Sequence, residues 1–146
     1  MSHSEPSSEQ AEFPARLAAL SETAGFAQAF CQRNGISRDD ALRLTLVIEE
    51  LFTNTVRHGY RDESDAPIRI SLALADGRVT LLYEDSAPRY DPLAQLSAPP
   101  SGLAVPIESR PIGGLGVYLL GQLVTSARYA YENGSNRLWL EMPRGG

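Results

Sequence analysis

An intramolecular disulfide is excluded in this chain, because its 146 residues include one cysteine, Cys31. With Phe26, Ala29 and Phe30 around it in a helical pattern, that thiol reads as a small core residue rather than a reactive group. Long apolar runs are missing too. None approaches the roughly 18 residues that a membrane-spanning helix requires. The opening Met1-Ser2-His3-Ser4-Glu5-Pro6 has neither the basic region nor the apolar stretch of a secretion signal. These absences set the expectation of a cytoplasmic protein with no membrane partner. No cluster of basic residues stands out, so direct nucleic-acid binding is not expected either. The net charge of −5, from 13 basic and 18 acidic residues, is ordinary for a globular protein. No internal repeat and no domain linker is visible, and the length suits one domain with one core.

What is present has a clear order. Residues 1–12 are polar and rich in Ser and Glu, which predicts a flexible tail ahead of a single domain over 13–146. Leu17, Leu20, Ala24, Ala27 and Phe30 recur at three- and four-residue steps, predicting a helix from Pro14 to Arg33 that stops at Asn34-Gly35. Ser37 with Asp40 three residues on resembles a capping box, so a second helix is predicted from Arg38 to His58, ending at Gly59. Ile68 to Leu74 and Val79 to Tyr83, joined by Asp76-Gly77, predict a hairpin. Six prolines between Pro88 and Pro111 predict a long loop, a length at which loops are often functional lids. Gly113 to Val124 reads as a helix after a glycine-rich start. A closing hairpin runs Ala127 to Tyr131 and Arg137 to Met142, turning at Asn133-Gly134. The resulting expectation is an α+β two-layer sandwich: a mixed, mostly antiparallel sheet with about three helices on one face.

Three constellations could carry chemistry. Glu50, Asn54 and His58 are spaced four apart on the second helix and line one face, at the border of the apolar stripe Leu44, Val47, Ile48, Leu51 and Phe52. A carboxylate there can take a proton, and an Asn side-chain oxygen is a hard ligand suited to Mg²⁺. On spacing alone the stripe fits a solvated polar face more readily than a site. Glu84-Asp85-Ser86-Ala87-Pro88 follows an apolar strand, where an acid can accept from a ligand amino group, or simply make a turn. Gly113-Gly114-Leu115-Gly116-Val117 offers free backbone N–H groups ahead of an apolar helix, a natural phosphate site or else a hinge. The glycines lack the following Lys-Ser/Thr of a Walker A loop, and lack the preceding strand of a Rossmann fingerprint.

Together and in this order, the three resemble the N box, G1 box and G2 box of the GHKL (Bergerat-fold) ATPase superfamily, in particular its RsbW-type anti-sigma-factor serine kinases. The resemblance covers about Phe13 to Pro143 and is most specific over Glu50 to Tyr60; Tyr90-Asp91-Pro92 and Gly134-Ser135-Asn136-Arg137-Leu138 add to it. It implies a Mg²⁺- and ATP-dependent serine protein kinase that phosphorylates a STAS-type antagonist, binds a sigma factor reversibly and forms a homodimer. Glu50 would be the general base, and Asn54 would hold Mg²⁺ and phosphate oxygens. Asp85 would accept from the adenine amino group, beside Ala87, with Asn136 a polar contact near the base. Gly113, Gly114, Leu115, Gly116 and Val117 would form the phosphate turn, Leu93 to Ile112 the ATP lid, and His58 would extend the nucleotide stripe. Two departures stand out. Ala87 occupies the place of the usual glycine, where a positive φ would be strained. The arginine that related kinases place on the first helix for transfer has Arg16 as its nearest candidate here. The alternatives are an ATP-binding regulatory module without turnover, and a detached histidine-kinase-like ATPase domain.

Overall fold

The computed structural model describes residues 7–60, 62–90 and 124–143. A five-stranded sheet is built from β1 (Ser7–Pro14), β2 (Pro67–Ala75), β3 (Arg78–Asp85), β4 (Ser126–Glu132) and β5 (Ser135–Pro143). The order across the sheet is β1-β2-β3-β5-β4, and each of these pairings is antiparallel. Two helices, α1 (Leu20–Arg33) and α2 (Arg38–Asn54), lie on one face. The architecture is the expected α+β two-layer sandwich, with two of the expected three helices among the described residues.

Strand alternation decides which side chains meet the helices. Ile68, Ile70 and Leu72 of β2, Val79, Leu81 and Tyr83 of β3, and Leu138, Leu140 and Met142 of β5 point inward and are buried. They pack with Leu44, Val47, Ile48, Leu51 and Phe52 of α2 and Ala27 and Phe30 of α1 in one cluster. Each large side chain fully buried there contributes about 1.5–3 kcal/mol relative to exposure. At one end of the sheet the inward rows change character. After Val79, Leu81 and Tyr83, β3 ends at Asp85, and β5 begins its inward row with Asn136, opposite Asp85 in the register. That change from apolar to polar on the core face locates the site.

Local chemistry sets the element ends. The Ser37 hydroxyl accepts from the Asp40 N–H at 3.1 Å and caps α2. Past Asn54 the helix widens into one π turn, Thr55–Gly59. Both hairpins turn through two residues at positive φ, Asp76 (54°) with Gly77 (73°) and Asn133 (53°) with Gly134 (77°), the geometry that matches strand twist.

Residues 7–12 depart from expectation. From Ser7 onward the predicted tail is the edge strand β1, hydrogen-bonded along β2 from Ser7↔Leu74 to Pro14↔Pro67. The first helix consequently begins later than predicted, at Leu20, after a 3-10 turn at Leu17–Ala19. One face of an edge strand meets solvent, so Ser8, Gln10 and Glu12 dilute the apolar signal of Ala11 and Phe13. The face away from the helices pairs Leu82 with Trp139 and carries the ion pairs Arg69–Glu12 and Arg137–Glu84. No helix among the described residues is long and apolar enough to cross a membrane.

Candidate functional site

A pocket opens where the end of α2 meets the polar end of the sheet. Its α2 wall is Leu51, Asn54, Thr55 and Gly59; its sheet wall includes Asp85, Ala87 and Asn136. Tyr90 and Tyr129 close one side. Asn54, Asp85, Ala87 and Asn136, all expected from the sequence, are therefore brought together. Glu50 lies one helical turn before Asn54 and is half-buried, and His58 is exposed; neither lines the pocket. Gly113, Gly114, Leu115, Gly116, Val117 and the segment 93–112 lie outside the described residues.

Asp85 is buried and held on three sides. Its Oδ2 accepts from the Thr55 hydroxyl at 2.9 Å. Its Oδ1 accepts from Asn136 Nδ2 at 2.9 Å and from the Ala87 N–H at 3.1 Å. Tyr83 OH sits 2.6 Å from Thr55 Oγ1. Burial first, and then the Asp85 charge, hold the Tyr83 phenol well above its ordinary pKa. A neutral phenol donates to Thr55, which donates in turn to the carboxylate, since the charge-assisted bond is the stronger one. A carboxylate offers about four acceptor positions, so this network leaves Asp85 room for one more donor.

Asn136 is equally committed. Besides Asp85, its Nδ2 reaches the carbonyl oxygens of Ala87 at 2.9 Å and Pro88 at 3.2 Å. Its Oδ1 accepts from the Tyr90 N–H at 3.0 Å and from the Tyr129 hydroxyl. The Tyr60 hydroxyl accepts from the Ser86 N–H at 3.0 Å. The turn after β3 is thus fastened to both α2 and β5.

Ala87 does not strain this turn. Its φ is not positive, and its methyl group lies 3.0 Å from where a Cβ on Gly59 would sit. Glycine at position 59 leaves the space that alanine at position 87 fills.

The α2 helix carries unmet polarity. Among the described residues, Glu50 Oε2 and Asn54 Nδ2 are buried without a hydrogen-bond partner. Burial raises the Glu50 pKa; the Arg57 charge and the nearby Asn54 amide, which closes no bond of normal geometry, offset part of that rise. Among the described residues, no cluster of three or more His, Cys, Asp or Glu could hold a metal ion. Glu50 and Asn54 fit Mg²⁺ only as it is held beside phosphates, with few protein ligands and the remainder from water and substrate. Arg16 is occupied elsewhere: it binds Asp65 at 2.6 Å and Glu63 at 3.6 Å, away from the pocket wall.

Sequence reasoning missed Thr55, Tyr83 and Gly59. Tyr83 was within reach of it, because strand alternation puts it on the same face as Asp85. Thr55 and Gly59 carry no signal of their own, because the π turn that sets their direction is not visible in a 3.6-residue period.

Residues 13–142 match the family described as the histidine kinase-like ATPase domain. The serine-protein kinase RsbW of Bacillus cereus (strain AH187) is 27% identical over 103 residues, 70% of this chain and 64% of that protein. RsbW of Bacillus anthracis matches to the same extent. The chain therefore covers 64% of the length of these relatives. Among solved structures, the RsbU and RsbW domains of Rv1364c from Mycobacterium tuberculosis superpose with a TM-score of 0.63 at 20% identity, covering 94% of this chain and 33% of that one. The SiaB–SiaC complex from Pseudomonas aeruginosa gives 0.62 at 12% identity, covering 92% and 87%. These two likenesses concern the fold. The family match runs over both helices and four of the five strands, including every element that lines the pocket, and this chain belongs to the histidine kinase-like ATPase domain family.

Proposed function

We propose that the pocket binds ATP and that the chain is a Mg²⁺-dependent serine protein kinase acting by partner switching. The observation that carries this reading is the buried Asp85, fixed as an acceptor with one position left, in a pocket whose α2 wall includes Asn54 with an unmet polar atom. Asp85 accepts the adenine amino group. The Asn54 side-chain oxygen would hold Mg²⁺, and Gly113, Gly114, Leu115, Gly116 and Val117 would offer backbone N–H groups to the phosphates. His58, one turn on, adds a polar group at the solvent edge. Bound Mg²⁺ would supply charge neutralisation on the phosphates. Glu50 takes the proton of the incoming Ser hydroxyl as its oxygen attacks the γ-phosphorus and ADP leaves.

The relatives' name, serine-protein kinase RsbW, supports the reaction class. The resemblance supports a STAS-type antagonist as phospho-acceptor, a sigma factor as the alternating partner, and a homodimer as the working form. Calorimetric titration with ATP, with and without Mg²⁺, tests the site. Mg²⁺-dependent binding is expected, and Asn54→Ala is expected to abolish it; unchanged affinity in that variant would remove Asn54 from the site.

One observation favours a second reading, an ATP-binding module without turnover. Arg16, the arginine expected to assist transfer, is held by Asp65 and Glu63. Phosphate transfer to a Ser-containing partner separates the two: transfer establishes the kinase, and binding without transfer establishes the module.

A further inference from the structure

The geometry points to Asn136 as the residue that restricts Asp85 to a single ligand donor and so makes the pocket select adenine over guanine. The inference rests on the nucleotide reading of the pocket and goes beyond it. A free carboxylate does not discriminate well between purines. It accepts one hydrogen bond from the amino group of adenine, but it can accept two parallel bonds from the ring N–H and amino group of guanine, because both of its oxygens are open. Asp85 is not in that state. Its Oδ1 is taken by Asn136 Nδ2 at 2.9 Å and the Ala87 N–H at 3.1 Å, and its Oδ2 by the Thr55 hydroxyl at 2.9 Å. One acceptor position remains, which suits a lone amino donor and refuses a fork.

Asn136 can act in this way because its own orientation is settled. Its Nδ2 faces three acceptors, Asp85 Oδ1 and the carbonyls of Ala87 and Pro88, and its Oδ1 faces two donors, the Tyr90 N–H and the Tyr129 hydroxyl. Turning the amide over would set oxygen against three oxygens. The residue is buried and directly opposite Asp85 in the β3–β5 register, so the strand pairing fixes its place as well. Asn136 has no donor left for the base, and it acts through Asp85 as a positioning residue.

The test measures ATP and GTP affinity, and their ratio, for the wild-type chain and for Asn136→Ala, with folding checked by circular dichroism. The wild type is expected to prefer ATP. In Asn136→Ala the ATP:GTP affinity ratio is expected to fall about tenfold or more, the worth of one bond to a charged group. A structural role alone would weaken both nucleotides alike and leave the ratio unchanged, which would overturn the inference. If Asn136→Ala does not fold, Asn136→Val reads the same ratio with a β-branched side chain suited to a strand. A measurement on the wild type needs no variant: GTP and inosine triphosphate, which lacks the 2-amino group, should bind within about twofold of each other, and a large preference for GTP would show a two-pronged Asp85 and overturn the inference. Wild type that binds neither nucleotide would overturn the nucleotide reading itself; wild type that binds ATP and GTP equally would overturn only the role given to Asn136.

Discussion

Glu50 shows how a single residue can be poised by its surroundings. Burial favours its neutral form, and Arg57 pulls the other way. A carboxyl whose folded pKa is raised stabilises the fold at low pH, and that contribution is lost as pH rises through the folded value. Glu50→Gln keeps the side chain neutral throughout. It is therefore expected to melt at a higher temperature than wild type at neutral pH, with the gain vanishing once acid protonates Glu50. Equal melting temperatures at neutral pH would contradict the burial cost. The same variant should keep ATP affinity and lose phosphate transfer. Arg57→Ala removes the offsetting charge, so Glu50 should titrate at a still higher pH. Carbon NMR of the Glu50 carboxyl across a pH series reads this directly, and an unmoved midpoint would mean that Arg57 does not reach it.

At the scale of elements, the contact between the π turn closing α2 and the turn after β3 matters most. The Ala87 methyl occupies the gap that Gly59 leaves, at 3.0 Å from any Cβ added there. Gly59→Ala alone should weaken ATP binding, because one of the two turns must move. Ala87→Gly in the same chain should restore it. Calorimetry of the two single variants and the double completes a mutant cycle, and additive losses would show that the contact does not couple the turns. This pair also marks what sequence could and could not reveal. The helices α1 and α2 and both hairpins were legible, because burial of one face imposes period 3.6 or 2 on the residues; the grouping of Asn54 with Asp85 came from the resemblance to the ATPase motifs. The strain expected at Ala87 did not arise, since its φ is set by contacts with Gly59 and Asn136 that are distant along the chain. The edge strand β1 was hidden for a related reason: its order comes from hydrogen bonds to β2 rather than from its own side chains.

On the scale of the whole molecule, the pocket draws on α2, β3 and β5, so a ligand there should stabilise the fold as one body. ATP at about a hundred times its Kd should raise the unfolding free energy by about 2.7 kcal/mol. Trp139, the single tryptophan, lies on the far face of β5 with Arg128 and Arg137 stacked on its ring at 4.0 and 5.0 Å. Its emission should follow urea unfolding, and a midpoint unmoved by saturating ATP would contradict a pocket shared among these elements. All 13 basic residues are arginine, so phosphate charge must be met by guanidinium groups, backbone amides or a divalent ion, with no lysine to share the task. The strand order adds a constraint in time. Because β5 pairs with β3 but follows β4 in the chain, Asp85 meets Asn136 only once β5 has been made. During synthesis, then, a chain still on the ribosome displays the β3 edge and an incomplete pocket until β5 emerges, and a ligand there can help only in retaining the finished fold, not in guiding its early steps.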